Sequence, residues 1–229
     1  MHKVVVAGFG FCFISDMKDW SHETVREIEI KLNLETFINY LKLIGFLGRV
    51  EHEERQVSAF FDTEDRKLAG LGWALRARVE SSRGTVTVKN IGKEVGAAVI
   101  RQEIEAEIPR ADAVEILSLR ADIMSFDILP IECITQKAGA VSVTKLVQFE
   151  NVRQKKLFKI DDNNYVLEID KTEFNDGSVD YELELELTDP DRIEVVEDGL
   201  KKLFSSLEIP YQPQPESKFA RALRRGKIY

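Results

Sequence analysis

The sequence predicts an α+β protein: an eight-stranded antiparallel β-barrel, in effect a tunnel with a charged lumen, flanked by outer α-helices. Three observations predict it. Seven segments alternate with a period of two, which places successive side chains on opposite faces of a strand. The charged face of several segments carries one sign, with carboxylates at Glu182, Glu184 and Glu186 and guanidiniums at Arg76 and Arg78. Amphipathic helical stretches lie between and after the strands and need an apolar sheet face to pack on, which leaves the charged faces to point inward.

The first strand is Glu27-Ile28-Glu29-Ile30-Lys31, followed by a helix over 34–48 with Phe37, Leu41, Ile44 and Leu47 at helical spacing. A strand over 56–62 and a short loop or helix near 64–68 lead into two basic strands joined near 81–84. In the first of these Leu75 and Ala77 oppose Arg76 and Arg78; in the second Val86 and Val88 oppose Thr85, Thr87 and Lys89. The next strand sets Ile104, Ala106 and Ile108 against Arg101, Glu103, Glu105 and Glu107, and Pro109 opens a helix over 111–123. Residues 124–139 show no decisive period. A strand over 141–158 carries Arg153 and Lys155, a strand after the turn-forming DDNN carries Glu168 and Asp170, and a strand after NDGS carries the glutamate row. Asp189-Pro190 then reads as the capped start of a helix to about 207.

At 229 residues and 44% hydrophobic content the chain is sized for one core, so 26–229 is expected to be a single domain preceded by an extension over 1–25. The extension resembles a signal peptide, but no small-x-small cleavage site follows its apolar run. Its Gly8-x-Gly10 imitates a dinucleotide fingerprint, yet Phe13 stands where the third glycine belongs. A net charge of -8 argues against nucleic-acid and anionic-membrane partners. Cys12 and Cys133 make neither a disulfide framework nor a zinc site, which fits a reducing, cytoplasmic setting. His2, His22 and His52 lie outside every motif and read as surface residues.

Strands carrying one sign of charge make sense if their faces converge on an anion held through metal cations, because unpaired charges packed dry would each cost several kcal/mol. The lumen is therefore expected to be wet and to bind a ligand.

Glu27-x-Glu29-x-Lys31, Arg76-x-Arg78, the lysine of TVTVKN, the RQEIEAEI strand, Arg153-x-Lys155, Asp170, the closing YELELEL and the Lys218 of PESKFARAL occur in order over residues 26–223. Together they resemble the CYTH superfamily of triphosphate tunnel metalloenzymes, most closely its tripolyphosphatase branch. The chain departs from the pattern at Lys155, where arginine is common and would grip phosphate with two bonds.

The resemblance implies hydrolysis of inorganic tripolyphosphate to pyrophosphate and phosphate, with Mg2+ or Mn2+ as cofactor, two ions in all, in a monomer or homodimer. Lys31, Arg76, Arg78, Lys89, Arg153, Lys155 and Lys218 would hold the phosphates. Glu182 and Glu184 would hold one metal and Glu27, Glu29 and Asp170 a second, with Glu168 assisting. Glu29 would position or deprotonate the attacking water, beside Lys31. Glu103 and Glu105 would orient the basic side chains. Arg101, Glu107 and Glu186 could equally sit at the rim in water, and Arg221, Arg224, Arg225 and Lys227 read as a solvated basic end. The rivals are a thiamine triphosphatase, which would need an aromatic platform such as Trp73, Phe149 or Phe219, a class IV adenylyl cyclase, and a non-catalytic polyphosphate-binding module.

Overall fold

The computed structural model describes residues 25–48 and 52–226, so the extension with Cys12, His2 and His22, and Lys227 at the other end, lie outside the described residues. Its strands are β1 (Val25–Asn33), β2 (His52–Asp62), β3 (Trp73–Val79), β4 (Gly84–Asn90), β5 (Lys93–Val95), β6 (Ala98–Ile108), β7 (Thr144–Ile160), β8 (Asn163–Phe174) and β9 (Val179–Leu187). Eight of them close an antiparallel barrel in the order β1-β9-β8-β7-β2-β3-β4-β6, with β6 pairing back onto β1. The short β5 was not expected; it extends the β4 side of β6 through Lys93–Val95.

The helices are α1 (Phe37–Leu47), α2 (Lys67–Gly70), α3 (Arg110–Leu117), α4 (Leu129–Ala138), α5 (Ile193–Ser206) and α6 (Lys218–Arg225). Helix α1 is shorter than the pattern suggested, because Thr36 caps it by accepting from the Asn39 amide and Gly48 ends it at φ 69°. Helix α3 stops at Leu117 rather than near 123: Leu119 turns left-handed at φ 60°, and Asp122 caps a separate 3-10 turn, Ile123–Ser125. Helix α4 occupies the stretch without a period. Asp189 caps a single 3-10 turn, Pro190–Arg192, before α5 begins.

The apolar faces point outward, as the helices require. Ile28, Ile30 and Leu32 of β1, with Leu183 and Leu185 of β9, pack under Leu43 of α1 and Val196, Leu200 and Phe204 of α5. Leu75, Val86 and Ala106 pack under Ile116 of α3 and Ile134 of α4. Gly199 is what lets α5 settle on β7: a Cβ there would lie 2.3 Å from Ile160 Cγ2.

The lumen is not charged throughout. Phe60, Phe149 and Phe174 take lumen-facing register positions, with Phe149 opposite both Ser58 and Phe174. They pack against Ala222 and Phe219 of α6, and the Phe60 and Phe219 rings stack 4.3 Å apart. This aromatic wall makes part of the tunnel lining apolar.

Candidate active site

One cavity of about 930 Å³ runs through the charged part of the lumen. Register sets its walls: Lys31 of β1 lies opposite Glu184 of β9, Asp170 of β8 lies between Arg153 of β7 and Glu182 of β9, and Lys89 of β4 lies opposite Glu103 of β6.

The carboxylates form two groups, each with oxygens within 4.8 Å of one another. One is Asp170, Glu182 and Glu184; the other is Glu27, Glu29 and Glu186. The sequence reading placed Asp170 with Glu27 and Glu29 and left Glu186 open between the carboxylate row and the rim. The structure brings Asp170 to the first group and sets Glu186 facing the second, solvent-exposed and without an ion pair among the described residues. Both groups offer only oxygen, the donor set that hard divalent cations such as Mg2+ and Mn2+ take, so they fit the expected metals.

Basic side chains already balance these carboxylates. Lys218 approaches Asp170 Oδ2 and Glu184 Oε1, both at 2.8 Å, and contacts Glu182. Arg153 donates from Nε to Asp170 Oδ1 at 2.8 Å and also contacts Glu168 and Glu184. Lys31 joins the two groups, 3.0 Å from Glu29 and 3.2 Å from Glu184. Lys89 lies 3.1 Å from Glu27 and contacts Glu103. Glu168 serves as the partner of Arg153 and of Lys155, 2.6 Å from the latter, which is half exposed toward the mouth. Arg76 Nη2 donates to Thr87 at 2.9 Å and to Glu105 at 3.3 Å. Arg78 is held more loosely, by Ser58 Oγ at 3.2 Å.

These contacts divide the carboxyls by acidity. Burial alone would raise Glu29, but Lys31, with Arg101 and Lys89, outweighs both burial and the charge of Glu27 and brings it down to about 2. Burial together with Glu29 and Asp170 overrides Lys31 and Arg153 at Glu184 and pushes it up to about 7. Partial withdrawal from water and the like charges of Glu168, Glu29 and Glu27 push Glu186 up to about 7 as well. Burial and the charges of Arg76 and Arg153 draw Arg78 down to about 10, because Glu105 and Glu80, the latter 3.8 Å away, offset them only in part.

The sequence left Arg101 open between rim and lumen, and the structure sets it in the lumen: its Nε donates to Glu27 at 2.5 Å and its Nη2 to Glu29 at 3.0 Å. Arg221 is not a solvated end; it is buried, 2.5 Å from Glu182 and 2.8 Å from Asp180. Arg225 pairs with Asp180 at 2.8 Å and covers the Phe174 ring. Glu107, open in the sequence between the two places, is bound to Arg83 at 3.1 Å at the edge, and Arg224 pairs with Glu216 in solvent.

The CYTH domain family model matches residues 25–223. The chain belongs to the CYTH family. The CYTH tunnel resembles that of HpAC1 from Hippeastrum, an adenylyl-cyclase candidate described as having a dominant triphosphatase activity, at 27% identity and TM-score 0.76 over 89% of this chain and 97% of that one. A Bacillus halodurans protein described as an adenylate-cyclase candidate shares the fold at 20% identity and TM-score 0.65 over 86% and 97% of the two chains. So does PH1819 of Pyrococcus horikoshii, at 16% and 0.59 over 87% and 99%. None of the curated proteins matches the chain. Among the described residues no helix is long and apolar enough to cross a membrane.

Proposed function

We propose that this CYTH protein hydrolyses inorganic tripolyphosphate to pyrophosphate and phosphate in a reaction that needs divalent metal. The observation that carries this reading is the pair of carboxylate groups facing a belt of arginines and lysines around one cavity. The activity described for HpAC1 supports a triphosphatase within the family.

In this reading Asp170, Glu182 and Glu184 hold one cation, and Glu27, Glu29 and Glu186 a second. The bound cations would offset the charge of the substrate oxygens and polarise the scissile phosphorus. Arg76, Arg78 and Arg153 grip phosphate oxygens as planar forks, and Lys31, Lys89, Lys155 and Lys218 add point charges. Arg78, the least neutralised of them, gains most from an incoming anion. Glu29, ionised across the neutral range, orients the attacking water, and Lys31 beside it can turn from its carboxylates to a phosphate oxygen.

The aromatic residues favour an inorganic substrate over a thiamine ester. Phe219 is stacked on Phe60, Phe149 is packed between Phe60 and Phe174, and the Trp73 ring lies under the Lys137 ammonium at 5.0 Å. Each of the three already carries a partner on one face where it lines the cavity.

The test is phosphate release from tripolyphosphate, ATP and thiamine triphosphate with magnesium, manganese or chelator. Release from tripolyphosphate alone, abolished by chelator, is expected. Cyclic AMP and pyrophosphate from ATP would transfer the protein to the cyclase reading. Tight polyphosphate binding without turnover would make it a binding module.

A further inference from the structure

Every basic residue assigned to phosphate has a clear task once substrate arrives, but Arg101 has none. It is largely enclosed, with 13% of its side chain exposed, and its guanidinium spans Glu27 and Glu29, the two buried members of the second carboxylate group. Burial works against its charge, yet Glu29 and Glu27 outweigh burial and stabilise the cation. The opposite edge of that group, Glu186, has no basic partner within ion-pair distance among the described residues. A cation entering there meets Glu186 together with Glu27 and Glu29, each of which has one oxygen on Arg101, shared with Lys31 at Glu29 and beside Lys89 at Glu27.

We infer that Arg101 is a resident counter-ion of the Glu27–Glu29–Glu186 seat, which yields those carboxylates to a divalent cation and thereby sets the affinity of the seat. This inference rests on the two-seat reading above. Without metal, Arg101 neutralises the carboxylates and keeps the tunnel closed-shell. When a cation takes them, the guanidinium is released into the lumen, one lysine's reach from Lys89, which shares Glu27 with it. A phosphate oxygen is the natural replacement partner there. The second cation and the triphosphate would then favour each other, since each removes the partner for which the other competes.

The experiment is Mn2+ titration of the full chain by calorimetry and electron paramagnetic resonance, without triphosphate, for wild type, Arg101→Gln and Arg101→Lys. Arg101→Gln is expected to tighten one Mn2+ site by about tenfold, and Arg101→Lys, which keeps the charge, to stay near wild type. A folded Arg101→Gln with unchanged or weaker Mn2+ binding overturns the inference and leaves the proposed function standing. No Mn2+ binding by wild type, with or without tripolyphosphate, overturns both. Should Arg101→Gln fail to fold, phenylglyoxal labelling of wild type followed by peptide mass spectrometry decides: Mn2+ should raise modification of Arg101 several-fold, and unchanged labelling rejects the displacement.

Discussion

Lys31 joins the two carboxylate groups through a single ammonium, and the roles of its neighbours separate around it. Glu29→Gln keeps the side-chain volume and removes the charge proposed to orient water, so turnover of tripolyphosphate should drop by about 10²-fold or more while far-UV circular dichroism is unchanged. An unaltered rate would take Glu29 out of the reaction. Lys89→Ala lies on the phosphate side and should mainly raise KM. Equal losses in metal and substrate affinity would contradict the division into belts. These positions were legible in the sequence because each charge sits in a strand whose alternation fixes its face. Glu186 and Arg101 were harder to read, since alternation assigns a face but not a depth. Whether such a residue meets Glu27 and Glu29 or open water depends on how strands stagger around the barrel, and Glu186 opposite Glu29 is a pairing between segments 157 residues apart.

At the scale of elements, α6 does more than supply Lys218. Its Arg221 is buried against Asp180 and Glu182 while Phe219 and Ala222 press on the aromatic wall. Arg221→Met would take one of two basic partners from Asp180, which keeps Arg225, and from Glu182, which keeps Lys218, and should cost about 1.5–3 kcal/mol in urea unfolding; loss of less than about 1 kcal/mol would show the helix to be loosely attached. KFARALRR reads as a basic tail because its charge dominates its composition, and only the docked helix gives Arg221 an acidic partner to bury against. The aromatic wall was hidden for a related reason: in Ser58-Ala59-Phe60-Phe61 both faces are apolar, so periodicity could not assign Phe60 to the lumen. On α5, Gly199→Ala should destabilise despite the gain of about 1 kcal/mol that alanine brings to a helix, because the added methyl strikes Ile160. A higher melting temperature would mean that the helix shifts freely on β7.

For the whole molecule, the opposed acidities give the metal-free protein a stability window. Glu29, depressed to about 2, contributes stability that is present above its unfolded value near 4.5 and lost as pH falls toward 2. Glu184 and Glu186, raised to about 7, contribute stability that is complete below 4.5 and lost as pH rises through 7. In chelator the melting temperature should therefore peak near pH 5, and Mg2+ should remove the decline on the alkaline side. A melting curve that climbs steadily from pH 5 to 8 in chelator would contradict this. Barrel closure itself was legible from strand count and inverted polarity, although the order in which strands pair was not.

That order matters during synthesis. Of the described residues, Glu27 and Glu29 are among the first to leave the ribosome, but β1 finds its neighbours only when β6 and β9 exist, and the first carboxylate group gains Lys218 later still. A nascent chain thus leaves the edge of β1 that β9 will cover unpaired until near the end of its translation. Stalled or prematurely released chains would carry Lys31, Arg76, Arg78 and Lys89 without Glu182 and Glu184 to face them, so quality control would encounter sticky, inert fragments rather than partly active enzyme.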